Sequence, residues 1–310
     1  MKWLVSVVAL AVGLCNVPLL ADDDADLGLT DFSLRSGGVN RTYHLHVPDS
    51  YEHGTEVALI IAYHGGQATG SDMVDLTGFN ELADSEGFIV CYPDGVLRTW
   101  ADGRGTTAAD QAHVDDVTFT QQLINHIAEA YSIDRARVYA TGISNGGFMS
   151  QRLASELPDH ITAICSVAAA IPQNMADDWG SSPIPVMMIN GTADPFVPFT
   201  GGEMTRGPGG TVLSHPECLA KWRVVDHITG TVEADTMSEP EHSTHKMFVE
   251  RKKWEHGRDG SELISIVCHG AGHTWPGGPQ YLPQAVVGAV CHDFNASEVM
   301  WEFFQQHVRE

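Results

Sequence analysis

A doubly wound α/β architecture, a mostly parallel sheet with helices on both faces, is what this 310-residue sequence predicts, and three observations carry the prediction. Short runs rich in Val and Ile recur along the chain, bounded mostly by Gly, Asp or Pro, as strands buried on both faces are. Segments with one apolar helical stripe lie between them. Strand and helix alternate, the order that lays helices over a parallel sheet by right-handed crossovers.

Taken in order, 32–34 and 42–47, joined through Gly37-Gly38, read as an antiparallel hairpin ahead of the alternation. The candidate core strands are 57–63, 88–92, 137–141, 161–167, 185–190 and 263–268. Helices are expected over 78–85, 116–131, 145–157, 216–226 and 296–307. In the second of these, Val117, Ile124, Ile127 and Tyr131 fall on one face; in the last, Val299, Phe303 and Val308 form the stripe.

With 43% hydrophobic residues and 8% aromatics the chain can bury a sizeable core, which excludes disorder, collagen and coiled coil. Lys and Arg number 17 against 40 Asp and Glu, a formal charge of −23. Such a field repels phosphate backbones and anionic lipid surfaces, so neither nucleic acid nor a membrane is expected as a partner. The acidic surplus favours solubility and raises the expectation of a saline habitat; activity that fell steadily on adding salt would count against it.

At the N-terminus Lys2 precedes an apolar run ending at Leu14, and the small residue Ala21 stands before Asp22. This is the pattern of a signal peptide over 1–21, too short in its apolar part to span a membrane, with 22–310 as a single catalytic domain that is secreted, extracellular or periplasmic. Loss of Lys2 with the leader would take the charge to about −24. Cys15 would leave as well. Of the remaining five cysteines, Cys91 and Cys165 sit in apolar strand-like runs and read as buried hydrophobes. A disulfide is expected among Cys218, Cys268 and Cys291, with three pairings open.

The chemistry-bearing motif is Gly142-Ile143-Ser144-Asn145-Gly146, directly after the run 137–141 and directly before a predicted helix. A G-x-S-x-G in that context is a nucleophile elbow: a sharp turn lifts the serine hydroxyl above the sheet, and the glycines let neighbouring backbone approach. A serine hydroxyl is a weak nucleophile and needs a base, with partners following in the order acid, then His. Asp194 follows the run 185–190 through Gly191-Thr192-Ala193, at the carboxyl end of a predicted strand; Asp177, Asp178 and Asp226 lack such a strand and read as solvated surface charges. His273, in the glycine-flanked loop after 263–268, is the matching base, preferred over His269. His242 and His245 resemble a ligand pair only weakly without a third ligand nearby, and no metal is expected.

Oxyanion donors are indicated at the backbone amide of Asn145, which follows the nucleophile, and in the loop His64-Gly65-Gly66-Gln67 after the first core strand, with Gly66 first and Gln67 behind it.

These residues resemble the α/β-hydrolase esterases grouped as polyhydroxybutyrate-depolymerase-like and feruloyl-esterase-like members of carbohydrate esterase family one. The likeness runs from about residue 40 to the C-terminus. It rests on Ala62-Tyr-His-Gly-Gly66, Gly87-Phe-Ile-Val-Cys-Tyr-Pro-Asp-Gly95, Trp100 with Asp102-Gly-Arg-Gly105, Val114-Asp-Asp-Val117, the elbow extended to Gly147, Gly191-Thr-Ala-Asp194, Gly272-His-Thr-Trp-Pro-Gly277, and Ala296-Ser-Glu with Trp301-Glu-Phe-Phe304.

The resemblance implies Ser144 as nucleophile, Asp194 as acid and His273 as base, and suggests that Trp100 and Trp275 line the substrate cleft, core packing being the other reading. It also implies that Asp115 and Asp116 cap the helix after them. The chain departs from the family's pattern in lacking cysteines in Asp226-His-Ile-Thr and His256-Gly-Arg-Asp, so any disulfide is wired differently and the family's cleft loops between 203 and 260 are not carried over.

The expected activity is a cofactor-free serine esterase working through an acyl-enzyme, on feruloyl or acetyl esters of polysaccharide. Poly(3-hydroxybutyrate) or another polyester is the alternative, weakened because no granule-binding module follows the catalytic domain. A hydrolase-fold binding protein without chemistry and a metal-dependent deacetylase are the rivals from other classes.

Overall fold

The hairpin opens the chain: β1 (Thr30–Ser36) and β2 (Val39–His46) pair antiparallel in the register Ser36 with Val39, and Gly37 and Gly38 turn between them at φ of 57° and 82°, the positive values a two-residue hairpin needs. The chain is described here from a computed structural model covering residues 28–180, 182–238 and 247–309. The candidate leader with Cys15 and Ala21 lies outside the described residues, as do His242 and His245.

The core strands follow: β3 (Val57–Tyr63), β4 (Ile89–Pro93), β5 (Ile133–Ile143), β6 (Ala163–Val167), β7 (Val186–Gly191) and, after the two-residue strands β8 (Gly202–Glu203) and β9 (Thr211–Val212), β10 (Glu233–Ser238), β11 (Phe248–Trp254) and β12 (Leu263–His269). Among the described residues they build one sheet in the order β1-β2-β4-β3-β5-β6-β7-β12-β11-β10, with β8 and β9 as a separate pair. The middle, from β4 through β12, is parallel, and an antiparallel pair closes each edge. Strands buried on both faces explain the unbroken apolar runs: in β3, Leu59 and Ile61 enter one core cluster while Ile60 and Ala62 enter the other.

Helices α1 (Asp72–Thr77), α2 (Phe79–Glu86), α3 (Ala108–Gln111), α4 (Asp116–Ala130), α5 (Asn145–Glu156), α6 (His215–Val225), α7 (Gln284–Val287) and α8 (Ala296–Phe304) complete the order. Phe119 of α4, Phe148 of α5 and Trp222 of α6 fill one core; Phe79 of α2 and Phe303 of α8 fill the other, so both faces of the sheet are covered. The helix expected over 78–85 is α2, and α1, which the sequence reading does not include, precedes it; Gly78 at φ 63° ends α1 in a left-handed cap before α2 starts. The last helix stops at Phe304, and Val308 beyond it is exposed. No helix among the described residues is long and apolar enough to cross a membrane.

Two acidic residues sit differently from expectation. Asp115 does cap α4, its side chain accepting from the Thr118 amide at 2.9 Å, an interaction that contributes ~1 kcal/mol. Asp116 does not cap: it is fully buried, accepts from Arg41 Nη2 and from the Ala101 amide, both at 2.7 Å, and ties the hairpin to the loop before α3.

Asp226 is a further correction. Expected at the surface with Asp177 and Asp178, which are exposed, it is fully buried at the end of α6. Its Oδ1 accepts from the Ile184 amide at 3.0 Å and its Oδ2 has no partner, so burial pushes its carboxyl up to about 7. A folded pKa above the unfolded value means that this acid favours folding least when ionised: its contribution is intact below about pH 4 and is lost as pH rises toward 7. Asp226→Asn keeps an acceptor for Ile184 and carries no charge. It is expected to raise the melting temperature by several degrees at pH 8 and to leave it unchanged near pH 4, roughly a few kcal/mol being at stake in thermal unfolding at the two pH values. Equal shifts at both would mean that ionisation of Asp226 is not the cause.

Candidate active site

The turn between β5 and α5 carries Ser144 at φ 56°, ψ −122°, a conformation costly for a residue with a side chain and held here by the Ser144 amide bonding the Val167 carbonyl at 2.9 Å. The flanking glycines are dictated by contact. A Cβ on Gly142 would meet the Tyr63 carbonyl at 2.5 Å, and one on Gly146 would collide with the same oxygen, so any side chain would push α5 off β3. Asn145 is the first residue of α5, and its amide, like the others of a first helical turn, has no carbonyl partner within the helix.

The carboxyl ends of β7 and β12 deliver the partners. Asp194 lies three residues past β7, its Oδ1 held by the Phe196 and Val197 amides at 2.7 and 2.9 Å. Its Oδ2 stands 2.7 Å from Nδ1 of His273, which lies four residues past β12. Both side chains are almost fully buried, at 1% and 6% exposure, so the pair is shielded from water and salt. The His273 amide bonds the Val287 carbonyl at 2.6 Å, and Tyr281 donates its hydroxyl to the His273 carbonyl at 2.8 Å, holding the loop from both sides.

Ser144 and His273 open onto one cavity of about 820 Å³. Its wall includes Gly66, Gln67 and Asn145 and an apolar side made by Met73, Leu76, Phe196, Met204 and Leu282. Met204 and Arg206, from the stretch where the family's loops are not carried over, contribute to it.

Gly66 lies against Asn145: a Cβ on it would stand 3.9 Å from the Asn145 Cβ. Gln67 is different. Its amide donates to the Arg98 carbonyl at 2.8 Å and its φ is 69°, so it folds the loop back and its N–H is not aimed at the cavity; the expected second donor is Gly66 without it. Behind the loop, His64 is fully buried; its Nδ1–H donates to the Gly65 carbonyl at 2.7 Å and its Nε2 accepts from the Gly95 amide at 2.9 Å. Burial lowers its pKa, which keeps the ring neutral and both bonds intact.

The tryptophans stand corrected. Trp100 and Trp275 are fully buried and neither borders the cavity. The Trp100 indole packs edge-on to Tyr63 at 5.0 Å and donates to the His64 carbonyl at 3.0 Å, while Trp275 packs on Phe79 and donates to Ser297 Oγ at 3.1 Å. A large ring with one donor is satisfied by such a site, and the motif spacing carries no sign of which side of the loop the ring takes.

What the Trp100 block does at the site passes through its backbone, and the motif gives no signal of it. The Asn145 side chain accepts from the Trp100 amide at 2.7 Å and donates to the Trp100 carbonyl at 3.0 Å and to Asp102 Oδ2 at 2.6 Å. Asp102, fully buried, takes the Arg104 guanidinium in a fork, Nε at 3.0 Å and Nη2 at 2.6 Å to Oδ2, and Arg104 stacks on Phe148 of α5. The first residue of α5, which lines the cavity, is thus clamped through its side chain. No group of three or more His, Cys, Asp or Glu that could hold a metal ion is present among the described residues.

Among known proteins the chain is 30% identical over 290 residues to the putative esterase NocK of Nocardia uniformis subsp. tsuyamanensis, a match covering 90% of this chain and 83% of that one. It is 26% identical over 236 residues to feruloyl esterase B of Piromyces equi, covering 73% of this chain and 41% of that one. A third relative is the bifunctional acetylxylan esterase/xylanase XynS20E of Neocallimastix patriciarum, 28% identical over 160 residues, 52% of this chain and 22% of that one. The chain spans less than half the length of these last two. No family model matches it. Among solved structures, the acetyl xylan esterase from Aspergillus awamori shares the fold with a TM-score of 0.57 at 16% identity, covering 89% of this chain and 99% of that one.

Proposed function

The chain belongs to the esterase family that includes the Nocardia uniformis protein, and we propose that it is an exported, single-domain serine esterase that cleaves feruloyl or acetyl esters on polysaccharide through an acyl-enzyme at Ser144. The observation that carries the reading is the buried Asp194–His273 hydrogen bond at a cavity shared with a serine on a strained elbow. Since Asp194 takes the Nδ1–H of His273, the other ring nitrogen is the one left to accept a proton.

In the proposed cycle Nε2 of His273 takes the Ser144 proton as Oγ attacks the ester carbonyl, and later returns a proton to the leaving alcohol. Asp194 holds the tautomer and offsets the imidazolium charge. The amides of Asn145 and Gly66 meet the oxyanion, each such donor contributing about 3–4 kcal/mol to the barrier reduction. Water then repeats the attack on the acyl-serine. The partly apolar wall made by Phe196, Met73, Leu76 and Met204 suits a planar aromatic acyl group, and relatives named feruloyl esterase and acetylxylan esterase support the choice of ester. The apolar stretch before Ala21 supports export.

The test is a side-by-side measurement of kcat/KM on methyl ferulate, acetylated xylan and soluble 3-hydroxybutyrate oligomers. The feruloyl or acetyl ester is expected to exceed the hydroxybutyrate oligomer by about tenfold or more, a difference of ~1.4 kcal/mol in transition-state binding. The reverse ranking would replace the polysaccharide ester by a polyester as substrate.

A further inference from the structure

Two cysteines meet beneath the catalytic loops. Cys268 is the last residue but one of β12 and Cys291 follows α7; both are free thiols in this structure, as are Cys91, Cys165 and Cys218, and the side chains of Cys268 and Cys291 lie within interaction distance of each other. Both are buried, at 1% and 0% exposure, and belong to the same core cluster. Cys218, the third member of the set left open by the sequence, is elsewhere: it is on α6, in the opposite core cluster, with its sulfur accepting from the Ile171 amide at 3.2 Å. Cys91 and Cys165 are buried within β4 and β6.

The position of the pair gives it a role. The Cys268 carbonyl accepts from the amides of Thr192 and Ala271, both at 3.2 Å, and so supports the loop leading to Asp194 and the loop leading to His273 together. The segment ending at Cys291 runs alongside the His273 loop: Val287, Ala289 and Cys291 accept through their carbonyls from the amides of His273, Gly272 and Gly277 at 2.6, 2.9 and 2.8 Å.

We propose that Cys268 and Cys291 are joined by a disulfide that staples the His273 loop to the segment before α8. The bond forms by exchange with a disulfide oxidant, small-molecule or protein. One cysteine thiolate attacks a sulfur of the oxidant and releases its first thiol; the second cysteine thiolate attacks that mixed disulfide and releases the other. The new S–S bond replaces the oxidant's, the two protons of the cysteines end on the released thiols, and the electron pair goes with them. Buried sulfurs are unreactive in the folded chain, so the exchange belongs to folding, and later reduction requires the loop to open. Only the source of the oxidant rests on the reading of the chain as exported.

The experiment uses the full chain directed to a bacterial periplasm, purified without reductant, denatured and alkylated with iodoacetamide before and after dithiothreitol. Dithiothreitol is expected to raise the number of alkylated cysteines by two, from three to five once Cys15 has left with the leader and from four to six otherwise, with a non-reduced peptide pair linking 268 to 291. No increase on reduction, or a linkage that includes Cys218, would overturn the proposal. On the folded protein, dithiothreitol is expected to lower the melting temperature by about 5–10 °C, the loop closed being some two dozen residues long, and Cys291→Ser should show the lower value with or without reductant. Cys218→Ala is expected to keep the full reductant-sensitive shift; its loss there would also overturn the assignment. The thiol count is read without turnover of any ester, so failure of the staple and failure of the esterase reading are told apart.

Discussion

Ser144→Ala is expected to lower kcat on any ester substrate by about 10⁴-fold or more while leaving the melting temperature within a degree or two of the parent. The size follows from the cycle: without the hydroxyl there is no acyl-enzyme, and only the amides near Asn145 and Gly66 remain to assist direct attack by water. The unchanged stability follows from the local structure. Alanine meets the same backbone demand at φ 56° as serine does, and the Ser144 amide and carbonyl bonds to Val167 and Phe148 involve no side-chain atom. His273→Ala should fall by a comparable factor, and the double variant by little more than either single one, because groups acting as a unit are not additive. Additive losses would mean that serine and histidine act in separate steps.

Asp102→Ala is expected to act on stability first. It leaves the Arg104 guanidinium, 2% exposed, without its fork partner, and an uncompensated buried charge costs about 3–5 kcal/mol, equivalent to a melting point lower by on the order of 10 °C. Catalysis should suffer as well, because the Asn145 side-chain amide loses its 2.6 Å acceptor and is then held by Trp100 alone. A fall in kcat of about tenfold or more, measured well below the new melting point and with KM little changed, is the signature of a displaced oxyanion donor. A variant that melts lower with kcat intact would confine Asp102 to a structural role. Melting curves and initial rates on one preparation separate the two.

The parts of this molecule that are legible in the sequence are those where a local rule and the global fold agree. Core strands such as β3 and β7 are buried on both faces, so their composition alone marks them, and the elbow couples a motif to the strand and helix that must flank it. Residues 194 and 273 are legible for the same reason, each lying just past a strand end. What stays hidden has particular causes. The strand β11 carries Glu250, Arg251, Lys252 and Lys253 in succession and is recognisable only by its pairing with β12. Gln67 and Trp100 sit in the right motifs, but the direction of a backbone amide or an indole is decided by tertiary contacts, here the Arg98 and His64 carbonyls. Asp226 looks like a surface acid because nothing in the local sequence announces that the Ile184 amide needs it in the interior.

The central claim is that Ser144 is activated by the His273–Asp194 pair. It is tested most directly by treating the native protein with a fluorophosphonate and locating the adduct by peptide mass spectrometry. A single adduct on Ser144, absent from the denatured protein and strongly reduced in His273→Ala, is the predicted result. An adduct on another residue, or none while ester hydrolysis persists, would contradict it.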